Sequence, residues 1–224
     1  MSGLAIDPGS INPAAVALGL AVVLALSPVL AGWSLALASG VKKQWWRPRG
    51  VSFRRWATVA TAGALLVLGS APGRPWPAWV LLAAGGAVLI VVDAQTHLLP
   101  ARLIYPLAAA EALVLVLTAI VNHEGDKLLR AVLAAAVVTA VWLALLLAAP
   151  SAFGLGDVRL FGLTGGLLGW PSWLAVLYGE LAAFLLAGLL AAALLVGSPS
   201  HRRRRAPIPM GPAIIVGAML VSWL

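Results

Sequence analysis

Residues 81–100 read LLAAGGAVLIVVDAQTHLLP. An uncharged apolar run, Leu81 to Val92, ends at Asp93, and Leu98-Leu99-Pro100 closes the stretch. The chain has only seven acidic residues in 224, so each is informative. An ionisable group at the edge of hydrocarbon is costly and marks a functional site by default. The arrangement recurs at Gly154-Leu155-Gly156-Asp157, where a second carboxylate sits between two more apolar runs. Reading 81–92 as membrane-embedded and Asp93 as its polar end decides the fold.

Composition supports that reading. Charged residues are 10% of the chain and hydrophobic residues 62%, whereas a soluble domain has about 25% charged residues. Such a chain cannot cover its own surface with polar groups in water, so its apolar segments are spans. It has no cysteine, which excludes disulfides and thiolate metal sites. His97, His123 and His201 form no metal-ligand spacing, and no metal or cofactor is expected. The net charge of +8 resides in short loops, where it orients a membrane protein rather than binding nucleic acid.

The expected fold is all-α, a single polytopic transmembrane bundle of about eight spans over residues 1–224. Helices are expected at Pro13–Ala38, Trp56–Ala71, Pro77–Val92, Arg102–Val121, Leu128–Ala149, Val158–Trp170, Trp173–Val196 and Pro207–Leu224. A full crossing takes about 20 residues, and the second, third and sixth are short by that measure. Short helices persist where protein surrounds them. Pro100, Pro106, Pro150 and Pro171 mark the junctions. Residues 1–12 carry no Lys or Arg, so the first helix reads as retained despite the cleavage-like Ala36-Leu37-Ala38.

Charge then sets orientation. With eight spans, one set of loops holds Lys42, Lys43, Arg47, Arg49, Arg54, Arg55, Arg102, Arg159 and Arg202 to Arg205, twelve in all. The other set holds three, Arg74, Lys127 and Arg130. Basic loops stay cytoplasmic, so both termini are expected outside and both aspartates at the cytoplasmic face. The stretch 42–56, basic and rich in tryptophan, reads as an interfacial anchor, with substrate contact as its alternative. Arg202 to Arg205 should meet anionic headgroups.

Two carboxylates at one depth suit aspartic proteolysis. One, protonated, polarises the scissile carbonyl, and the other takes a proton from the attacking water. Two like charges close together cannot both ionise easily, so their pKa values separate. Gly154 and Gly156 allow close backbone approach or unusual dihedrals beside Asp157. The bland alternative is a flexible loop in which Asp157 pairs with Arg159.

Three motifs carry a resemblance. Asp93 followed by Leu99-Pro100, the string Gly154-Leu155-Gly156-Asp157-Val158-Arg159-Leu160, and Pro209-Met210-Gly211-Pro212 are similar in order and spacing to motifs of the type IV prepilin peptidases, over about residues 56–224. Those are membrane aspartic proteases of the Gly-x-Gly-Asp kind. The resemblance implies that Asp93 and Asp157 are catalytic, that no cofactor is used, and that a prepilin or pseudopilin loses its basic leader at the cytoplasmic face of a bacterial inner membrane. Arg159 stands where the family usually has Lys. Bifunctional members carry paired Cys-x-x-Cys associated with methylation of the new amino terminus. With no cysteine, this chain resembles the short, peptidase-only form, and S-adenosylmethionine is not implied. Presenilin-like proteases share Gly-x-Gly-Asp, but Tyr-Asp and Pro-Ala-Leu are missing here.

His97, Pro100, Gly154, Gly156 and Arg159 are the supporting or substrate-binding candidates. His97 follows Asp93 by four residues, so a continuing helix would set them on one face. Glu111 and Glu180 lie within spans and call for a packed partner, a wet cavity or a bound proton. Two other classes fit the composition. A small transporter would use Asp93, Asp157, Glu111 and Glu180 as an ion path, and a catalytically silent pilus or secretion assembly protein would use none of them. The oligomeric state is not encoded in any feature of the sequence.

Overall fold

The computed structural model describes residues 13–38, 53–69, 75–150, 153–196 and 209–222. Among these are eight helices and no strand: α1 (Pro13–Ala38), α2 (Phe53–Gly69), α3 (Trp76–Thr96), α4 (Ala101–Asn122), α5 (Gly125–Ala148), α6 (Leu155–Gly169), α7 (Trp173–Val196) and α8 (Gly211–Val221). The protein is an all-α membrane helix bundle. By length and composition α3, α4, α5 and α7 are long and apolar enough to cross a bilayer. The basic segment 42–52 and Arg202 to Arg205 lie outside the described residues.

Burial divides the helices by role. The apolar window of α3 is 78% buried, against 28% for α4 and 22% for α5 and α7. Helix α3 is therefore central, and the other three are peripheral. Their outward faces carry Leu117, Ile120, Leu133 and Leu185, all exposed. An apolar surface of that extent matches lipid rather than water.

The boundaries correct four expectations. Helix α3 does not stop at Val92. It continues through Asp93 to Thr96, whose hydroxyl donates to the Val92 carbonyl at 2.8 Å. It ends because His97 turns left-handed (φ 51°) and its N–H donates back to the Asp93 carbonyl at 2.8 Å. Helix α6 begins at Leu155, so Asp157 belongs to its first turn, not to a flexible loop. Helix α8 starts at Gly211, with Pro212 in its first turn, where a missing N–H costs nothing; Pro209 and Met210 are not helical. Pro106 lies inside α4 rather than at a junction, at the loss of one bond to the Arg102 carbonyl.

The short α6 survives because protein surrounds it. Its 15 residues rise ~22 Å at 1.5 Å each, less than the ~30 Å hydrocarbon core. Every residue from Leu160 to Trp170 is buried. Gly162, Gly165, Gly166 and Gly169 form a stripe against Thr139, Val138, Ala135 and Ala134 of α5, at distances where an added Cβ would crowd its neighbour. Small residues on one face let two backbones approach, which is how helices bind each other without a hydrophobic driving force.

Arg130 of α5 closes the far end of α6. Its Nε donates to the Gly169 carbonyl at 2.8 Å, and its Nη2 donates to the Trp170 carbonyl and, at 2.9 Å, to that of Pro171. A cation at a helix C-terminus satisfies orphan carbonyls and faces the negative end of the dipole. Arg130→Ala should lower stability by about 1.5–3 kcal/mol, as loss of charge-assisted bonds does. The measurement is thermal unfolding in detergent, and an unchanged midpoint would remove Arg130 from this role.

Candidate active site

Asp93 is in the last turn of α3 and 3% exposed. Its Oδ2 accepts a hydrogen bond from the Gly211 N–H at 2.8 Å. Gly211 opens α8, so this donor is one of the unpaired amides at a helix N-terminus, where an anion is favoured. There is no room for a side chain at Gly211. A Cβ there would lie 2.9 Å from Asp93 Oδ2 and 3.1 Å from Leu99 Cδ2.

Asp157 is built the same way from a different helix. It is the third residue of α6 and half-buried. Its Oδ2 accepts the Gly154 N–H at 2.9 Å, and its own N–H donates to the Gly154 carbonyl at 3.1 Å. Each aspartate thus has one oxygen anchored to a glycine amide. Among the described residues the other oxygen of each has no hydrogen bond.

Leu99 holds the two halves in register. A Cβ on Gly156 would lie 2.6 Å from Leu99 Cβ and 3.0 Å from the Leu99 carbonyl oxygen. The same Leu99, 9% exposed, touches Gly211 on its other side. Pro100 then caps α4 and fixes the turn that brings Leu99 inward. Through Gly211 and Gly156, Asp93 and Asp157 therefore flank the same residue, Leu99.

The remaining candidates separate. Gly156 supplies close approach, as expected. Gly154 does not supply an unusual dihedral, because its φ of −103° and ψ of 154° are ordinary extended backbone. His97 is exposed and within electrostatic reach of Asp93, but its helix-ending turn takes it off the face expected for a continuing helix. Arg159 does not pair with Asp157; its guanidinium lies over the Tyr105 ring, 5.4 Å from the centroid. Arg55, at the start of α2, donates to Gln95 Oε1 near the end of α3, so both belong to the same end of the bundle. Glu180 accepts from Trp142 Nε1 at 2.8 Å, and Trp142 in turn stacks on Phe161 at 3.7 Å. Among the described residues no hydrogen bond or ion pair links Glu111 or Glu180 to either aspartate.

Sequence reading did not place Gly211 or Leu99 in the site. The signal for Gly211 was its place in Pro209-Met210-Gly211-Pro212. For Leu99 it was the Leu-Pro step itself, read as a motif letter rather than a packing contact.

Fold and site together define a membrane helix bundle that presents two backbone-anchored carboxylates at one end. The profile of the type IV leader peptidase family matches residues 78–196, from α3 through α7 and just over half of the chain. The chain belongs to that family of peptidases. No curated protein and no solved structure matches it.

Proposed function

We propose that the protein is a membrane aspartic endopeptidase that removes the basic leader of a prepilin or pseudopilin at the cytoplasmic face of a bacterial inner membrane. The observation that carries this is the pair Asp93 and Asp157, anchored on separate helices with one free oxygen each and flanking Leu99 from its two sides. Water adds to the scissile carbonyl while one carboxylate takes its proton. The other carboxyl donates a hydrogen bond to the carbonyl oxygen. The C–N bond then breaks, and the departing amine takes up a proton. An ion path gains no support, since Glu180 is tied to Trp142. The direct test is cleavage, by the protein purified in detergent, of a small pilin with a basic leader and a glycine before its apolar segment. An intact pilin would overturn the assigned substrate class.

The cytoplasmic placement rests on the twelve-to-three split of basic residues between the two sets of loops. The cysteine-free chain makes it testable with single cysteines. Leu98→Cys lies at the aspartate end, and Asp126→Cys at the start of α5; both positions are exposed. An impermeant maleimide should label Asp126→Cys in intact cells and Leu98→Cys only after permeabilisation. The reverse pattern would invert the topology.

Methylation should not accompany cleavage, because the chain lacks the paired cysteines of bifunctional relatives. Mass spectrometry of pilin processed by this protein alone should find a free amino terminus. A terminus heavier by one methyl group, formed only when this protein is present, would refute that expectation.

A further inference from the structure

Helices α4, α5 and α6 enclose a cavity of about 480 Å³ apart from the aspartate pair. Its walls are apolar and small, with Ala112, Ala135 and Gly166 among them. Rim residues Tyr105 and Val132 are exposed, so it opens on the outer, lipid-facing side. Arg159 sits at the mouth above the Tyr105 ring and makes no ion pair among the described residues. Arg102 is one turn earlier than Tyr105 on the same face of α4 and is exposed. Within the cavity, Glu111 is 3% exposed and its Oε1 has no hydrogen-bond partner.

We propose that this cavity is a site for one anionic membrane phospholipid, with its phosphate between Arg102 and Arg159 and one acyl chain inside. The inference stands apart from the peptidase reading. Volume, charge and depth select the occupant. Two turns of helix, ~10 Å wide and ~11 Å long, would need about 850 Å³, more than the cavity's 480 Å³, so a substrate helix does not fit. A chain of ~16 carbons does, taking a methylene as about the ~30 Å³ of a liquid water. Two arginines beside a tyrosine at the membrane edge attract phosphate and repel a basic leader. Glu111 sits ~9 Å beyond Tyr105 along α4, at 1.5 Å per residue. That places it beneath the mouth, alongside the acyl chain of a lipid whose phosphate is held there.

The experiment is native mass spectrometry of the full chain in detergent, titrated with phosphatidylglycerol, phosphatidylethanolamine or glycerol phosphate. The wild type should carry one phosphatidylglycerol, less phosphatidylethanolamine and no glycerol phosphate. Replacing both Arg102 and Arg159 by Ala should weaken retention about tenfold or more, as loss of two interfacial cations implies. Lysine at both positions should restore most of it. Ala112→Trp fills the chain's space and should displace the lipid without touching the charges. Equal retention of the two lipids by wild type, or unchanged retention in Ala112→Trp, overturns the proposal. So does an Ala112→Trp protein that keeps its lipid but no longer cleaves pilin, since the cavity would then serve substrate. Because lipid retention is read without cleavage, failure of this proposal is distinguishable from failure of the peptidase assignment.

Discussion

Asp93→Asn and Asp157→Asn should each lower leader cleavage by about 10²–10⁴-fold or more, the range for loss of a positioned acid or base. Both proteins should still insert. The geometry says why: an asparagine carbonyl oxygen can accept the Gly211 or Gly154 N–H that Asp93 and Asp157 accept at 2.8 and 2.9 Å. The backbone anchor survives, and only the titratable proton is lost. The two losses should not add in the double variant, because groups that act as a unit fail together. Processing is read from the size shift of a co-expressed prepilin. Wild-type processing by either single variant would remove that residue from the catalytic pair.

The two glycines before Asp157 should differ sharply. Gly156→Ala puts a Cβ 2.6 Å from Leu99 Cβ and 3.0 Å from the Leu99 carbonyl oxygen. Neither atom is at the end of a flexible side chain, so α6 must move away from the Leu99-Pro100 turn, and Asp157 moves with it. A misplacement of about 1 Å can cost about 10²-fold in rate, and overpacking costs about 1–3 kcal/mol in stability. Gly154→Ala meets only Asp157 Oδ2 at 3.3 Å and the Gly156 nitrogen at 3.9 Å, on extended backbone that any residue adopts. It should retain most activity. Rates for the two alanine variants, measured on the same pilin in detergent, decide the matter. If Gly154→Ala is the worse of the two, the close approach of α6 to Leu99 is not what fixes Asp157.

Much of this was legible in the sequence because hydrocarbon imposes a simple rule. An apolar run long enough to span must be helical, since no water is available for its backbone. That rule finds the eight helices among the described residues, and it places α1 and α7 at Pro13–Ala38 and Trp173–Val196, where the structure has them. It failed at polar ends. Hydropathy stops the helix before the charged Asp93, yet backbone hydrogen bonding carries α3 on to Thr96, and a left-handed His97 ends it. Hydropathy cannot see a turn made by a histidine. The same rule starts α6 only at Val158, although Asp157 is in its first turn.

By itself, the sequence determined the membrane class, the eight helices among the described residues, and the two carboxylates as the candidates for chemistry. Scarcity of charge makes those features unmistakable, since each ionisable group beside lipid must have a reason. Only the tertiary structure decided what holds the carboxylates. Gly211 comes from the last helix to anchor Asp93, and Leu99 fits between Gly211 and Gly156. It also turned Arg159 toward Tyr105 instead of Asp157. Those contacts join residues far apart in the chain, and their partners are set by how close glycine-lined helices can approach. Periodicity along one segment carries no information about that distance.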